Sequence, residues 1–175
     1  MRSLSEFLLK RKQKSVQRKV KAFNLKAAQS AFLLYNATDV NQEKVVRNFA
    51  RFLKEEGIKV TSVGFYNKKG KEAQKPNDEL SYFYLDAKDL NWLKQIKASK
   101  INDLVKAPFD LLIDLNVNDF MCLQILSTLS LAHFKVGPSG SYRDEVCDMT
   151  IKMDQGDVSV LIEELKKYLA IINKN

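Results

Sequence analysis

From residue 31 onward, six short apolar runs alternate with stretches whose apolar positions recur at helical spacing. AFLLYNA (31–37), IKVTSVGFYN (58–67), SYFYL (81–85), FDLLIDL (109–115), FKVGP (134–138) and MTIKM (149–153) have the length and the aliphatic or aromatic content of strands. FDLLIDL is the clearest, with Leu111, Leu112 and Ile113 held between Asp110 and Asp114. Between the runs, NQEKVVRNFARFLKEEG puts Val45, Val46, Phe49, Phe52 and Leu53 on one helical face and meets its stop signal at Gly57. NDFMCLQILSTLSLA is a nearly all-apolar helix, so burial on more than one side is expected. GDVSVLIEELKKYLAII forms a C-terminal helix with Asp157 near its start and Lys166 and Lys167 near its end, as the helix dipole favours. KDLNWLKQIKASKINDLVKAP reads as two short helical pieces ended by Pro108, and KKGKEAQKPNDE as a polar hairpin or loop.

Strands and helices in this alternation, with strands that are continuously apolar, predict a mostly parallel sheet covered by helices on both faces. The expected fold class is α/β, a Rossmann-like three-layer domain over residues 27–175, preceded by a basic N-terminal helical arm over residues 1–26. Residues 3–24 contain no Gly and no Pro and read as one helix. Their apolar positions make two stripes instead of one: Leu4, Phe7 and Leu8 on one side, Leu9, Val16, Val20 and Phe23 on roughly the other. Such a helix is expected to bend, or to lie between two different surfaces.

Charge sharpens this division. The chain of 175 residues carries a net charge of +8, and residues 1–26 hold nine basic side chains against one acid, Glu6. The remaining 149 residues are neutral, with 20 basic and 20 acidic side chains. KRKQKSVQRKVK, from Lys10 to Lys21, has seven cations in twelve residues. A dense cationic arm on a neutral domain suits binding to phosphates, where counterion release drives association. The predicted RNA-contacting residues are Arg2, Lys10, Arg11, Lys12, Lys14, Arg18, Lys19, Lys21 and Lys26 on the arm, with Lys68, Lys69 and Lys71 as a secondary phosphate-contacting loop.

Catalytic chemistry finds little footing. The first strand is not followed by GxGxxG, and GxxxxGK[ST] is absent, so the dinucleotide and P-loop readings both fail. GPSGS (137–141) is a glycine-bearing loop in a ligand-binding place but reads first as a turn. Asp114, at the end of the best strand, reads first as a hydrogen-bonded strand-end carboxylate, and is the residue to inspect for catalysis. His133 is the only histidine, and Cys122 and Cys147 form no CxxC pair, so neither a triad nor a metal site assembles around them. Trp92, Tyr82, Phe83 and Tyr84 could stack bases, but their spacing reads first as core or as cover for a sheet edge. A non-enzyme with no metal and no cofactor is expected. No apolar run approaches the ~20 residues needed to span a bilayer, and the first apolar stretch is too short for a secretory signal, so a cytoplasmic location is expected.

Two resemblances add to this reading. FDLLIDLNVND…LSTLSLAHFKVG resembles part of the N-terminal domain of lipopolysaccharide heptosyltransferases, though the chain has no second domain for a nucleotide-sugar and lacks that family's glycine-containing first strand. Over nearly its whole length, through the basic leader, YNATD, EEGIKVTSVGFYNKK, DLNW, FDLLIDL and HFKVG, it resembles a family of short Bacteroidota proteins associated with the large ribosomal subunit. That resemblance implies a structural component of the large subunit, or a factor bound to it, with rRNA and ribosomal proteins as partners. DNA sequence specificity and homo-oligomerisation are not expected. The alternatives are a partial sugar-nucleotide-binding domain and a peripheral membrane protein anchored by the N-terminal helix.

Overall fold

A computed structural model describes residues 4–68, 74–93 and 95–172. Its centre is a six-stranded, all-parallel sheet of β1 (Ser30–Asn36), β2 (Lys59–Phe65), β3 (Tyr82–Leu85), β4 (Leu111–Asp114), β5 (Phe134–Pro138) and β6 (Met149–Ile151), in the spatial order β3-β2-β1-β4-β5-β6. The helices are α1 (Leu4–Ser15), α2 (Val40–Glu55), α3 (Ser99–Lys106), α4 (Met121–Leu129), α5 (Arg143–Val146) and α6 (Val158–Ile171). The six apolar runs are the six strands, and the sheet is Rossmann-like in both composition and order. Strand order reverses between β1 and β4, which places the doubly wound fold's switch point there.

Alternation along each strand feeds two cores. Ala31, Leu33, Tyr35, Leu111, Ile113, Phe134 and Val136 face the layer of α2 and α6. Phe32, Leu34, Val63 and Leu112 face the layer of α3 and α4, where Leu123 and Leu126 complete the contact. Both sides of the sheet are dry, which is why its strands are apolar at successive positions. Asp39 caps α2 by accepting from the Asn41 and Gln42 amides, and Asp157 caps α6 by accepting from the Ser159 amide. Gly57 follows α2 at φ 84°, a left-handed position suited to glycine. At Gly64 a Cβ would lie 2.7 Å from the Ala37 Cβ and 2.8 Å from the Tyr35 ring, so glycine is what lets Tyr35 lie against β2.

The arm departs from the expected single helix. α1 ends at Ser15, whose hydroxyl donates to the Lys12 carbonyl, and residues 16–24 continue as a non-helical strap. The cause is tertiary. The His133 ring nitrogen Nδ1 lies 2.8 Å from the Lys19 carbonyl oxygen, and the Lys21 amide donates to the His133 carbonyl at 3.1 Å. Backbone groups that a helix would have paired internally are thereby taken by the domain. The strap passes the amino ends of β5 and β6 and carries the chain from one face of the sheet to the other. Leu9 is buried in the α3–α4 core, whereas Phe23, Leu25 and Ala28 are buried in the α2–α6 core. Two surfaces are served, but not by the two stripes: Leu9 and Phe23 share one stripe and enter opposite cores, while Leu4 and Phe7 of the other stripe, and Val20, remain largely exposed.

The first of the two helical pieces expected between β3 and β4 is also different. It is a single 3-10 turn, Ala87–Asp89, followed by a tight loop closed by a bridge between Leu90 and Ile96. Asn91 diverts the backbone: its Oδ1 accepts from the Leu93 and Gln95 amides, an Asx turn that competes with helix formation. Residues 69–73 of the polar loop expected after β2 lie outside the described residues.

Candidate nucleic-acid interface

The place where a doubly wound sheet ordinarily binds its ligand is filled by the protein's own side chains. Asp114, at the end of β4, is fully buried. It accepts from the Tyr142 hydroxyl at 2.7 Å and from the Asn116 amide at 2.9 Å. Asn116 in turn donates from Nδ2 to the Tyr142 oxygen at 3.0 Å, and Arg143 donates to the carbonyls of Asn116 and Pro138 at 2.7 and 3.0 Å. Desolvation raises the pKa of Asp114, while these donors and the nearby guanidinium oppose the shift. On the β1 side, Asn36 Nδ2 donates to Asn118 Oδ1 at 3.2 Å across the switch point. In GPSGS the Ser139 amide goes to the Ile151 carbonyl and the Gly140 amide to the Asp144 carboxylate, so an acid occupies the place an anion would take. Gly137 is closely packed, with 3.1 Å from its virtual Cβ to the Asp114 carbonyl oxygen, so a side chain there would have to displace that backbone by a few tenths of an ångström.

A second polar cluster joins α2 to the edge strand β3. Tyr84 donates to Glu43 Oε1 at 2.5 Å, and Arg47 bridges Glu79, Glu43 and the Tyr84 oxygen while lying 4.2 Å from the Tyr82 ring centroid. Burial, with the Glu43 bond, pushes the Tyr84 hydroxyl up to about 12. Among the described residues, no group of three or more His, Cys, Asp or Glu could hold a metal ion. Cys122 is buried, and burial pushes its thiol up to about 12. His133 stacks on Phe23 with ring centroids 6.0 Å apart, a role in docking the strap.

The cations of the arm divide into two groups. Lys10 pairs with Glu145 at 3.2 Å, Arg18 pairs with Asp148, and Lys21 sits 5.2 Å from the Phe23 ring centroid. Lys10 and Arg18 hold the arm to the domain through their side chains, whereas the Lys21 side chain lies on a ring of the strap itself and its backbone amide makes the bond to the His133 carbonyl. Arg11, Lys12, Lys14, Lys19 and Lys26 are exposed and make no ion pair among the described residues. Arg2, Lys69 and Lys71 lie outside the described residues. Lys68 is exposed, 5.9 Å from the Tyr66 ring centroid. The geometry therefore separates anchoring cations from presented ones, and fixes the presented ones along α1, the strap and the turn that follows it.

A family model described as "Family of unknown function (DUF6913)" matches residues 2–172. The chain belongs to that family. The match takes in α1 and the strap together with the whole sheet, so the DUF6913 unit in this chain includes its cationic arm. No curated protein and no solved structure matches the chain. No helix among the described residues is long and apolar enough to cross a membrane.

In this DUF6913 chain the aromatic residues are not all where their spacing put them. Phe83 and Tyr84 are buried and Tyr82 is half-buried, as expected of core and edge cover, but Trp92 is 81% exposed. The reading of Trp92 as core fails because the Asx turn at Asn91 lifts it to the tip of a loop. The signal was present in the sequence as an Asn two residues before Leu93, the spacing of an Asx turn. Lys97 and Lys100, exposed nearby, were also outside the predicted set.

Proposed function

We propose that this protein is a non-catalytic, cytoplasmic RNA-binding protein, a structural component of the large ribosomal subunit or a factor bound to it. One observation carries the reading: five cations of the arm stand exposed and make no ion pair among the described residues, on a segment that the domain itself holds in place. Fixing the segment in the free protein lowers the ordering cost of binding, and clustering the charge maximises counterion release from a phosphate backbone. The filled crevice supports the same reading, because Asp114 is spent on Tyr142 and Asn116. Lysine and arginine on this surface contact phosphate, which positions the protein without reading sequence. Lys68, with Lys69 and Lys71 beside it in sequence, adds a second phosphate contact.

Sedimentation through a sucrose gradient tests the proposal. The native protein is expected to travel with the large subunit at low salt and to leave it as salt rises. Migration at the top of the gradient at every salt concentration would refute it. A second reading, a lipid-surface helix, is favoured by Leu4 and Phe7, which are 59% and 60% exposed on a helix that also carries Arg11 and Lys14.

A further inference from the structure

Trp92 is the most exposed aromatic side chain among the large hydrophobics, and it is presented by a loop with several internal hydrogen bonds. The Asn91 amide donates to the Gln95 carbonyl at 2.9 Å, and Asn91 Nδ2 to Gln95 Oε1 at 3.0 Å. The Lys97 amide donates to the Asp89 carbonyl at 2.8 Å, and Asn102 Nδ2 holds the Ile96 carbonyl at 3.0 Å. Ile96 is itself buried in the α3–α4 core. An indole held outward on a rigid loop is pre-organised to bind, because little conformational freedom is left to lose.

Beside this loop lies a cleft of about 250 Å³. Leu93, Gln95 and Ile96 form one wall, Leu8 and Lys12 of α1 the other, and Ile125 lies between them on α4. Lys12 is exposed, and Lys97 and Lys100 are exposed on the side of the loop. The cleft beside the loop and the segment that follows the loop therefore carry exposed cations, which suits a phosphodiester. This arrangement does not suit the core of a protein interface, where Lys is depleted.

Resting on the RNA reading above, we propose that Trp92 is a stacking platform for an unpaired nucleotide of the bound RNA, with Lys12 across the cleft engaging the neighbouring phosphate. The protein would then recognise single-stranded or bulged RNA in addition to backbone charge, since stacking needs a base that is out of its helix.

Trp92 is the only tryptophan of the chain, so intrinsic fluorescence reports on this residue alone. The full chain is titrated with single-stranded oligo(U) and oligo(A), and with a blunt RNA duplex at equal phosphate concentration. Quenching by the single strands and little change with the duplex is expected. Trp92→Ala should weaken single-strand binding about 5- to 150-fold, as loss of one stacked base requires, with the slope of log K against log salt unchanged. Trp92→Phe should retain part of the affinity. If both RNAs bind with the same salt dependence, fluorescence does not move and Trp92→Ala binds like wild type, the stacking assignment is overturned while the RNA reading stands. If neither RNA binds, both are overturned. A blue shift on anionic phosphatidylserine vesicles, with none on RNA, places the indole in lipid and also overturns the assignment.

Discussion

Arg18 and Asp148 form a two-bonded ion pair at the amino ends of β5 and β6, Nη1 to Oδ2 at 2.9 Å and Nη2 to Oδ1 at 2.5 Å, with side chains only 14% and 15% exposed. The same guanidinium donates to the carbonyls of Ala132 and His133 at 3.3 and 3.1 Å, and Asp148 also accepts from the Lys135 amide at 2.8 Å. This contact fastens a segment of the cationic arm to the last two strands. The Arg18 guanidinium is thus taken up by the fold, by Asp148 and two backbone carbonyls.

Arg18→Ala should therefore destabilise the protein without first acting on binding. It leaves Asp148 partly buried with one amide donor, and the expected cost is about 1–3 kcal/mol, below the 3–5 of a fully buried pair because both side chains retain some solvent. Arg18→Lys keeps the charge but not the fork, so it should fall between the two. Denaturant midpoints measure this. An Arg18→Ala protein that unfolds at the wild-type midpoint would show that the pair fastens nothing.

Lys135 offers a test in pH. It lies buried on β5, and its Nζ donates to the carbonyls of Ser127 and Thr128 at 2.7 and 3.2 Å, at the last turn of α4. Desolvation first, then the charge of Arg18, brings its pKa down to about 8, against the pull of Cys147, Asp148 and Asp114. The folded state thus sheds a proton between pH 8 and 10.5 that the unfolded chain keeps, so this group makes stability rise with pH across that window. Below pH 8 both states are charged and the contribution is flat. A gain of about 3 kcal/mol is the upper scale for such a shift. Subtracting the curve of Lys135→Met removes the opposing losses from buried tyrosines above pH 10. A wild-type minus variant difference that stays constant from pH 7 to 10 would contradict the assignment.

How much of this was legible depends on the range over which each feature is decided. The six strands could be read because burial on both faces makes each one apolar at successive positions, and Asp157 and Gly57 could be read because caps act within a few residues. The end of α1 could not. Nothing between Ser15 and Phe23 breaks a helix locally; the strap is fixed by His133 and Asp148, more than a hundred residues away. The same distance hid which cations were available. Counting charges located the basic arm, but only the fold shows that Lys10 meets Glu145 and Arg18 meets Asp148. Asp114 could be singled out as a strand end, but not as a partner of Tyr142, because α5 is a single turn with no periodicity to find.

The separation of anchoring from presented cations carries the last prediction. Changing Arg11, Lys14 and Lys19 to Gln removes three exposed charges that make no ion pair among the described residues, and Gln is close to Lys and Arg in helix propensity, so stability should hold. If roughly 5–8 phosphates are engaged, wild-type binding to RNA should follow a log–log salt slope of about −4 to −7, and the triple variant should flatten it by about 2–3. The loss should be similar for every RNA sequence tested, since lysine reads phosphate and not base edges. Anionic vesicles must be run in parallel, because a lipid surface responds to the same charges. Leu4→Ser with Phe7→Ser separates the two: it removes exposed apolar area that a bilayer would bury but leaves every cation in place. Retention of RNA binding by that double variant, with vesicle binding lost, is the expected outcome. Loss of ribosome sedimentation in the double variant while the triple variant still sediments would mean that the arm binds through its apolar residues, and the phosphate reading would fall.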